Sequence, residues 1–353
     1  MEVPHLKCAV LCGVLAKAEP VLCAGLNHLT HTGFMNYVLQ PMVDSQDGRI
    51  VLVYAPTQNA FYVNFARRLY LACREGGIRA DLVSPDSVHR LPPGQVQRST
   101  AILVNPQDLV YSLAEREPFY ETLPKFRSCI MVLAEAVETN WFAHQFRLPV
   151  PISAFVDVGF VPQETKLSDQ GYSHIPYKFL FNGLLRSERE RVAAINATEG
   201  ARRPIPWAFI GHKTLERVSL ARWLVEEVDA KGAIFLPNQG RGMRPGSGAI
   251  SPLGMDLLLK KSRYYVWMAH HDFAYYESFR FREAVLNGAV PVKLDSRFHS
   301  EHSSIPGILS SRDELASFLV GGSYEQAYEA ARAYYLDHKG LEDELREVLL
   351  DAI

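Results

Sequence analysis

Apolar and polar positions follow two rhythms along this chain, and the way those rhythms alternate sets the expected fold class. From about residue 49, Ile50-Val51-Leu52-Val53-Tyr54 is a continuous apolar run, the pattern of a strand buried on both faces. Pro56 and Thr57 end it. A helix follows with Phe61, Phe65, Leu69 and Cys73 four apart on one stripe, and Gly76-Gly77 supplies its stop. Further strands are predicted at 80–83, 101–104, 130–133 and 155–158. The rhythm breaks over Pro162 to Pro206 and then restarts. Trp207 to Ile210 reads as a strand, Gly211 as its turn, and 215–228 as a helix with Leu220, Leu224 and Val228 on one face. Strands at 233–236, 264–268 and 290–294, with helices at 255–261 and 277–287, complete the second series, and Gly288 stops the last helix. Pro291 falls at the start of its strand, where a missing donor is tolerated. The chain's end reads as helical, with Leu341, Leu345 and Leu349 four apart.

Strands and helices in alternation imply right-handed crossovers and parallel sheets. The economical architecture is α/β: two tandem Rossmann-like, doubly wound domains with a helical C-terminus. The expected boundaries are a first domain over 1–165, a passage over 166–205 and a second domain over 206–353. The first 48 residues are expected to add a strand and a helix, with His28 and His31 in a connecting loop. A length of 353 residues suits two domains, and 48% apolar against 22% charged residues excludes a disordered chain. The 37 Lys and Arg nearly cancel the 39 Asp and Glu, so the charge offers no footprint for wrapping nucleic acid, and nucleic acid is not an expected partner. No stretch approaches the ~20 apolar residues of a membrane span. The five cysteines form no C-x-x-C pair and lie in apolar surroundings, which reads as reduced, buried thiols of a cytoplasmic protein. Cys8 to Leu15 after Lys7, with Ala16-Lys17-Ala18 beyond, has some look of a secretory leader, but Glu2 spoils its basic start.

The densest chemical signal runs from His270 to Val292, following one strand and opening a helix. That places it at the carboxyl edge of a sheet, where open α/β sheets bind ligands. Glu277, Arg280, Glu283 and Asn287 fall three or four apart on one polar face, leaving Phe281 and Val285 to pack. A helix start with an arginine in its first turn favours an anion, and a carboxylate deeper on that face suits ribose hydroxyls. The same spacing also suits an ordinary surface Arg–Glu pair.

The stretch Glu-Ser-x-Arg-x-x-Glu-Ala-x-x-x-Gly-x-Val-Pro-Val, beginning at Glu277, resembles the donor-binding element of GT-B glycosyltransferases. Its look is nearest to exostosin-like, spore-coat CgeB-like and α1,3-fucosyltransferase-like sequences, over roughly residues 205 to 300. The resemblance implies a GT-B architecture in which Glu283 holds the nucleotide ribose. The helix start at Ser278, with Arg280, would meet the diphosphate. The two glutamates stand six apart, where the widespread retaining pattern has eight, which favours inversion.

A second element, Phe209-Ile210-Gly211-His212-Lys213-Thr214-Leu215-Glu216-Arg217, resembles the first strand, glycine turn and helix of the same nucleotide domain. Gly211 would let phosphates approach the backbone, with Lys213 and Arg217 neutralising their charge. The glycine-rich loop from Gly240 to Gly248 offers a lid with Arg241 or Arg244 as its cation, and it lacks the Walker ending of a P-loop. Adjacent His270 and His271 on a strand point to opposite faces and make a poor metal pair, so His271 is expected to touch sugar or phosphate. No Asp-x-Asp triplet occurs, so no metal site is expected and the cations must carry the diphosphate charge. Glu135, just past a first-domain strand, and His31 are the candidates to take a proton from an acceptor.

The expected function is transfer of a sugar from a nucleotide-diphosphate sugar to an acceptor, inverting and metal-independent, with the sugar nucleotide as co-substrate and no further cofactor. A GT-B-like sugar-nucleotide epimerase, a DNA-modifying glucosyltransferase and a silent nucleotide-sugar-binding module are the alternatives.

Overall fold

The computed structural model describes residues 49–55, 60–104, 106, 109, 117–145, 150–159, 162–195, 202–236, 250, 252–269, 277–295 and 305–352. The strand and helix expected before residue 49 lie outside the described residues, as do Cys8, Cys12 and Cys23.

Six strands form the first sheet: β1 (Ile50–Val53), β2 (Ala80–Val83), β3 (Thr100–Leu103), β4 (Ser128–Leu133), β5 (Ala154–Gly159) and β6 (Tyr177–Phe181). They run in the order β2-β1-β3-β4-β5-β6, and every pairing is parallel. Five more form the second: β7 (Ile205–Ile210), β8 (Ala233–Phe235), β9 (Ser262–Met268), β10 (Val290–Leu294) and β11 (Ile308–Leu309). Their order is β11-β10-β9-β7-β8, again all parallel. The longer helices, in chain order, are α1 (Ala60–Glu75), α2 (Arg186–Ala193), α3 (Leu215–Trp223), α4 (Pro252–Lys261), α5 (Ser278–Leu286), α6 (Tyr324–Asp337) and α7 (Leu341–Ala352). The molecule is thus built of two Rossmann-like, doubly wound α/β units with a helical C-terminus, the fold class expected from the sequence.

The continuous apolar runs are explained by burial on both faces. Ile50 and Leu52 join Phe65, Leu69 and Cys73 of α1 in one core, while Val51 and Val53 join Ala101, Leu103 and Phe119 in another. Burial pushes the Cys73 and Cys129 thiols up to about 12, so both remain protonated and inert. In the second unit, Trp207, Phe209, Tyr265, Trp267, Phe281 and Val285 share a single core. Helix α5 is followed, after Asn287, by Gly288, whose φ of 72° is open to glycine at no steric cost.

Two segments sit differently from the expected division. Tyr177–Phe181, within the stretch read as a passage, is the edge strand of the first sheet, paired to β5. Helix α7, grouped by sequence with the second domain, packs on α1 and β6 of the first unit. Its Leu341, Leu345, Val348 and Leu349 enter the core of Phe65 and Leu69. The Leu341 amide donates to Leu184 O (2.9 Å) and the Phe181 amide donates to Glu344 Oε2 (2.9 Å). Arg346 donates to the Gly76 carbonyl at the end of α1. A leucine stripe four apart specifies a helix with one apolar face but not which core it covers. The chain therefore crosses between units twice, once through α2 and once between α6 and α7.

Candidate functional site at the carboxyl edge of the second sheet

The second sheet starts in its interior at β7, moves outward to β8, then returns to β9 on the other side. The β7/β9 boundary is its topological switch point, and a crevice opens beyond the carboxyl ends of two such strands. Those ends are Ile210 and Met268.

Two guanidiniums fasten them. Arg280 Nη1 donates to Ile210 O (2.9 Å) and to the Tyr265 hydroxyl (2.5 Å), and its Nε donates to Glu277 Oε1 (3.0 Å). Arg217 donates to Met268 O through Nε (3.0 Å) and Nη2 (2.7 Å), and to His212 O through Nη1 (3.2 Å). Thr214 caps α3 by accepting from the Arg217 amide. A Cβ on Gly211 would lie 2.9 Å from Arg217 Nη1 and 3.1 Å from its guanidinium carbon. The packing of Arg217 therefore accounts for a glycine at 211 without any ligand.

Glu277 precedes the first turn of α5. Its Oε1 is held by Arg280, while its Oε2 is out of solvent and has no hydrogen-bond partner among the described residues. Burial opposes its charge, yet Arg280, Lys293 and Arg217 outweigh that cost and hold its pKa at about 2. Lys293, fully buried on β10, pairs with Asp295 at 3.0 Å. Burial and Arg280 lower Arg217 to about 10, and burial is outweighed at Arg280 by Tyr265 and Glu277, so both guanidiniums stay charged at neutral pH. His212 and Lys213 stand exposed on the turn above this frame. Partial burial of the imidazole, then Arg217 and Arg280, lower the His212 pKa from its ordinary value.

The expected polar face of α5 is not solvated. Arg280 is 7% exposed, and the helix is buried nearly all round. Ser278 and Glu283 are engaged toward the first unit instead. Asn182 Nδ2 lies 3.3 Å from Ser278 Oγ, and Arg282 bridges Asn182 Oδ1 (2.8 Å) and Glu283 Oε1 (2.6 Å). Arg68 of α1 pairs with Glu188 of α2 and donates to Gly183 O (2.6 Å), while Phe65 meets Phe279 edge to face at 5.0 Å.

Of the residues singled out by sequence, Gly211, Arg217, Glu277 and Arg280 converge at the switch point, with Lys213 on the same turn. Glu135 stands past β4, at the carboxyl edge of the first sheet. His28, His31, Arg241, Arg244 and His271 lie outside the described residues, as does the glycine-rich loop. Around Glu135 the fixing groups are ones the sequence reading did not select. Asp157 Oδ2 accepts from the Tyr177 hydroxyl (2.7 Å) and the Gln163 amide (3.0 Å), and Gln163 Oε1 accepts from the Val137 amide (3.0 Å). Burial raises Asp157 to about 6, against the pull of those hydrogen bonds. Lys293 and Asp157 had a signal: each is a charge inside an apolar strand, in Val-Pro-Val-Lys-Leu and Phe-Val-Asp-Val. Among the described residues no group of His, Cys, Asp and Glu side chains is placed to hold a metal, and no helix is long and apolar enough to cross a membrane.

No family model matches this sequence, and no curated protein matches it. Solved structures similar to this chain include two described as follows. One is a DNA-modifying β-glucosyltransferase determined with and without uridine diphosphoglucose: 12% identity over 86% of this chain and 96% of that one, TM-score 0.44. The other is an α1,3-fucosyltransferase: 10% identity over 88% and 92%, TM-score 0.43.

Proposed function

We propose that this protein is a nucleotide-sugar-dependent glycosyltransferase of GT-B arrangement, with the donor in the second unit and the acceptor presented by the first. One observation carries the reading. At the switch point, the helix that resembles a GT-B donor-binding element offers a buried carboxylate oxygen, Glu277 Oε2, that has no partner among the described residues, inside a fixed cationic frame. A carboxylate so placed is an acceptor for hydroxyl groups, and the cations beside it suit a diphosphate. Glu277 takes the hydroxyl-binding role through its Oε2, while Glu283 is turned to Arg282.

The reaction is a single displacement. An acceptor oxygen attacks the anomeric carbon, the bond to the diphosphate breaks, and the diphosphate leaves with the electron pair. Glu135 or His31 removes the acceptor's proton. Arg280, Lys213 and His212 stabilise the developing negative charge without a metal.

A thermal-shift panel of UDP-, GDP-, ADP-, CMP- and dTDP-sugars tests donor binding, because a ligand of the native state stabilises it. One nucleotide class should raise the melting temperature and release labelled sugar to an acceptor, with EDTA present. Glu277→Gln should weaken that donor by on the order of 1.5–3 kcal/mol. No shift with any member of the panel overturns the reading.

A further inference from the structure

His212 occupies an unusual position on this edge. It lies on the turn between β7 and α3, its carbonyl clamped by Arg217 Nη1 at 3.2 Å. The flanking Gly211 amide donates to Phe235 O at 3.0 Å, so the backbone is tied on both sides. The neighbouring guanidiniums are equally fixed, Arg217 on Met268 O and Arg280 on Ile210 O. Neither can swing away from an added positive charge. His212 is exposed as a residue although its ring is partly covered, and Lys213 beside it is exposed.

We propose that His212 is a proton-accepting ligand for the donor's diphosphate, so that a sugar nucleotide binds together with a proton. The proposal rests on the donor-site reading above and adds how that site's charge is set. Partial burial, and then, among the described residues, the guanidiniums of Arg217 on α3 and Arg280 on α5, disfavour the charged form of the ring. Glu277, held on Arg280, is not among the groups that shift the ring. A diphosphate entering beside them reverses the sign of the local field, and the imidazolium becomes the favoured form. The transferred proton comes from solvent and ends on the ring. The doubly bonded frame of Arg217 and Arg280 is permanent, whereas the charge on His212 appears only with the anion.

A nucleotide sugar is the right probe, because its diphosphate diester has no ionisation of its own near neutral pH. Titration calorimetry of the full chain with UDP-glucose and GDP-mannose, near pH 6.5 in buffers of different ionisation enthalpy, should show uptake of a fraction of a proton. Affinity should fall as pH rises, by up to about tenfold per pH unit between the free and bound pKa values. His212→Asn, at an exposed position, should keep the fold and lose both effects. Nuclear magnetic resonance of the ring, assigned with that variant, should show its titration midpoint moving upward on binding. Binding without proton uptake, uptake that survives His212→Asn, or a midpoint that does not move overturns this inference and leaves the donor site standing. Failure of every sugar nucleotide in the panel to bind overturns the donor site and this inference together.

Discussion

At the carboxyl edge of the second sheet, Arg217 and Arg280 close off the strand-end carbonyls of Met268 and Ile210, whereas near Glu135 on the first sheet the fastening falls to a buried acid, Asp157, with Gln163 and Tyr177. Both devices hold backbone at a strand end, and both are buried. They differ in what they leave behind electrically. Among the described residues, Arg217, Arg280 and Lys293 stand against Glu277 and Asp295 on the second edge, a frame that suits an arriving anion. On the first edge the acid is held by a hydroxyl and amide groups, with Lys166 acting on it more weakly. The division of labour proposed between the units follows this electrical difference.

Removing the cation from the second edge should have the largest effect. Arg280→Met keeps much of the side chain's volume but strands the buried Glu277 carboxylate and the Tyr265 hydroxyl. Loss of one partner from a buried ion pair costs about 3–5 kcal/mol, readable as a lower midpoint in urea unfolding. On a purely solvated face the same change would cost almost nothing, so a loss within ~0.5 kcal/mol would break the description of this edge as a fixed frame.

The two edges should also carry opposite pH signatures. Glu277 is depressed in the folded state, so its contribution is present above the ordinary carboxylate range and is lost as pH falls toward about 2. Asp157 is raised from 3.8 to about 6, so its contribution is complete below the lower value and is lost as pH rises through the upper one. Asp157→Asn should remove that slope. Its stability relative to the native protein should improve between those limits by up to about 3 kcal/mol. Denaturant titrations of both proteins at several pH values check this, and parallel curves would refute the burial-driven shift.

What could be read in advance was whatever periodicity encodes. The paired strands from Ile50 to Leu294 appeared as apolar runs because both faces of each sheet are covered, and α5 appeared through its glycine stop. Strand β6 lacks such a run because Tyr177-Lys178-Phe179 is only half-buried, as an edge strand is. Helix α7 was visible as a helix but not as a partner of α1, since that contact joins residues far apart in sequence. At the site, the residue types were legible and their partners were not. Spacing placed Glu277, Arg280 and Glu283 on one face; the tertiary structure gave Glu283 to Arg282 and drew Arg280 down onto β7 and β9.

Gly211 offers the finest test of the second edge. The motif suggests a glycine kept bare for phosphate, while the packing gives a glycine kept bare for Arg217. Gly211→Ala should displace a guanidinium that is fixed by three hydrogen bonds, at a cost of about 1–2 kcal/mol. In an Arg217→Ala background the space is vacated, and the same alanine should then cost almost nothing. The two sites are in contact, so the double-mutant cycle should show a coupling of about 1 kcal/mol or more. If the alanine costs the same in both backgrounds, the glycine is not there for Arg217. If in addition it weakens sugar-nucleotide binding without weakening the fold, close approach of the phosphates is the reason for the glycine after all.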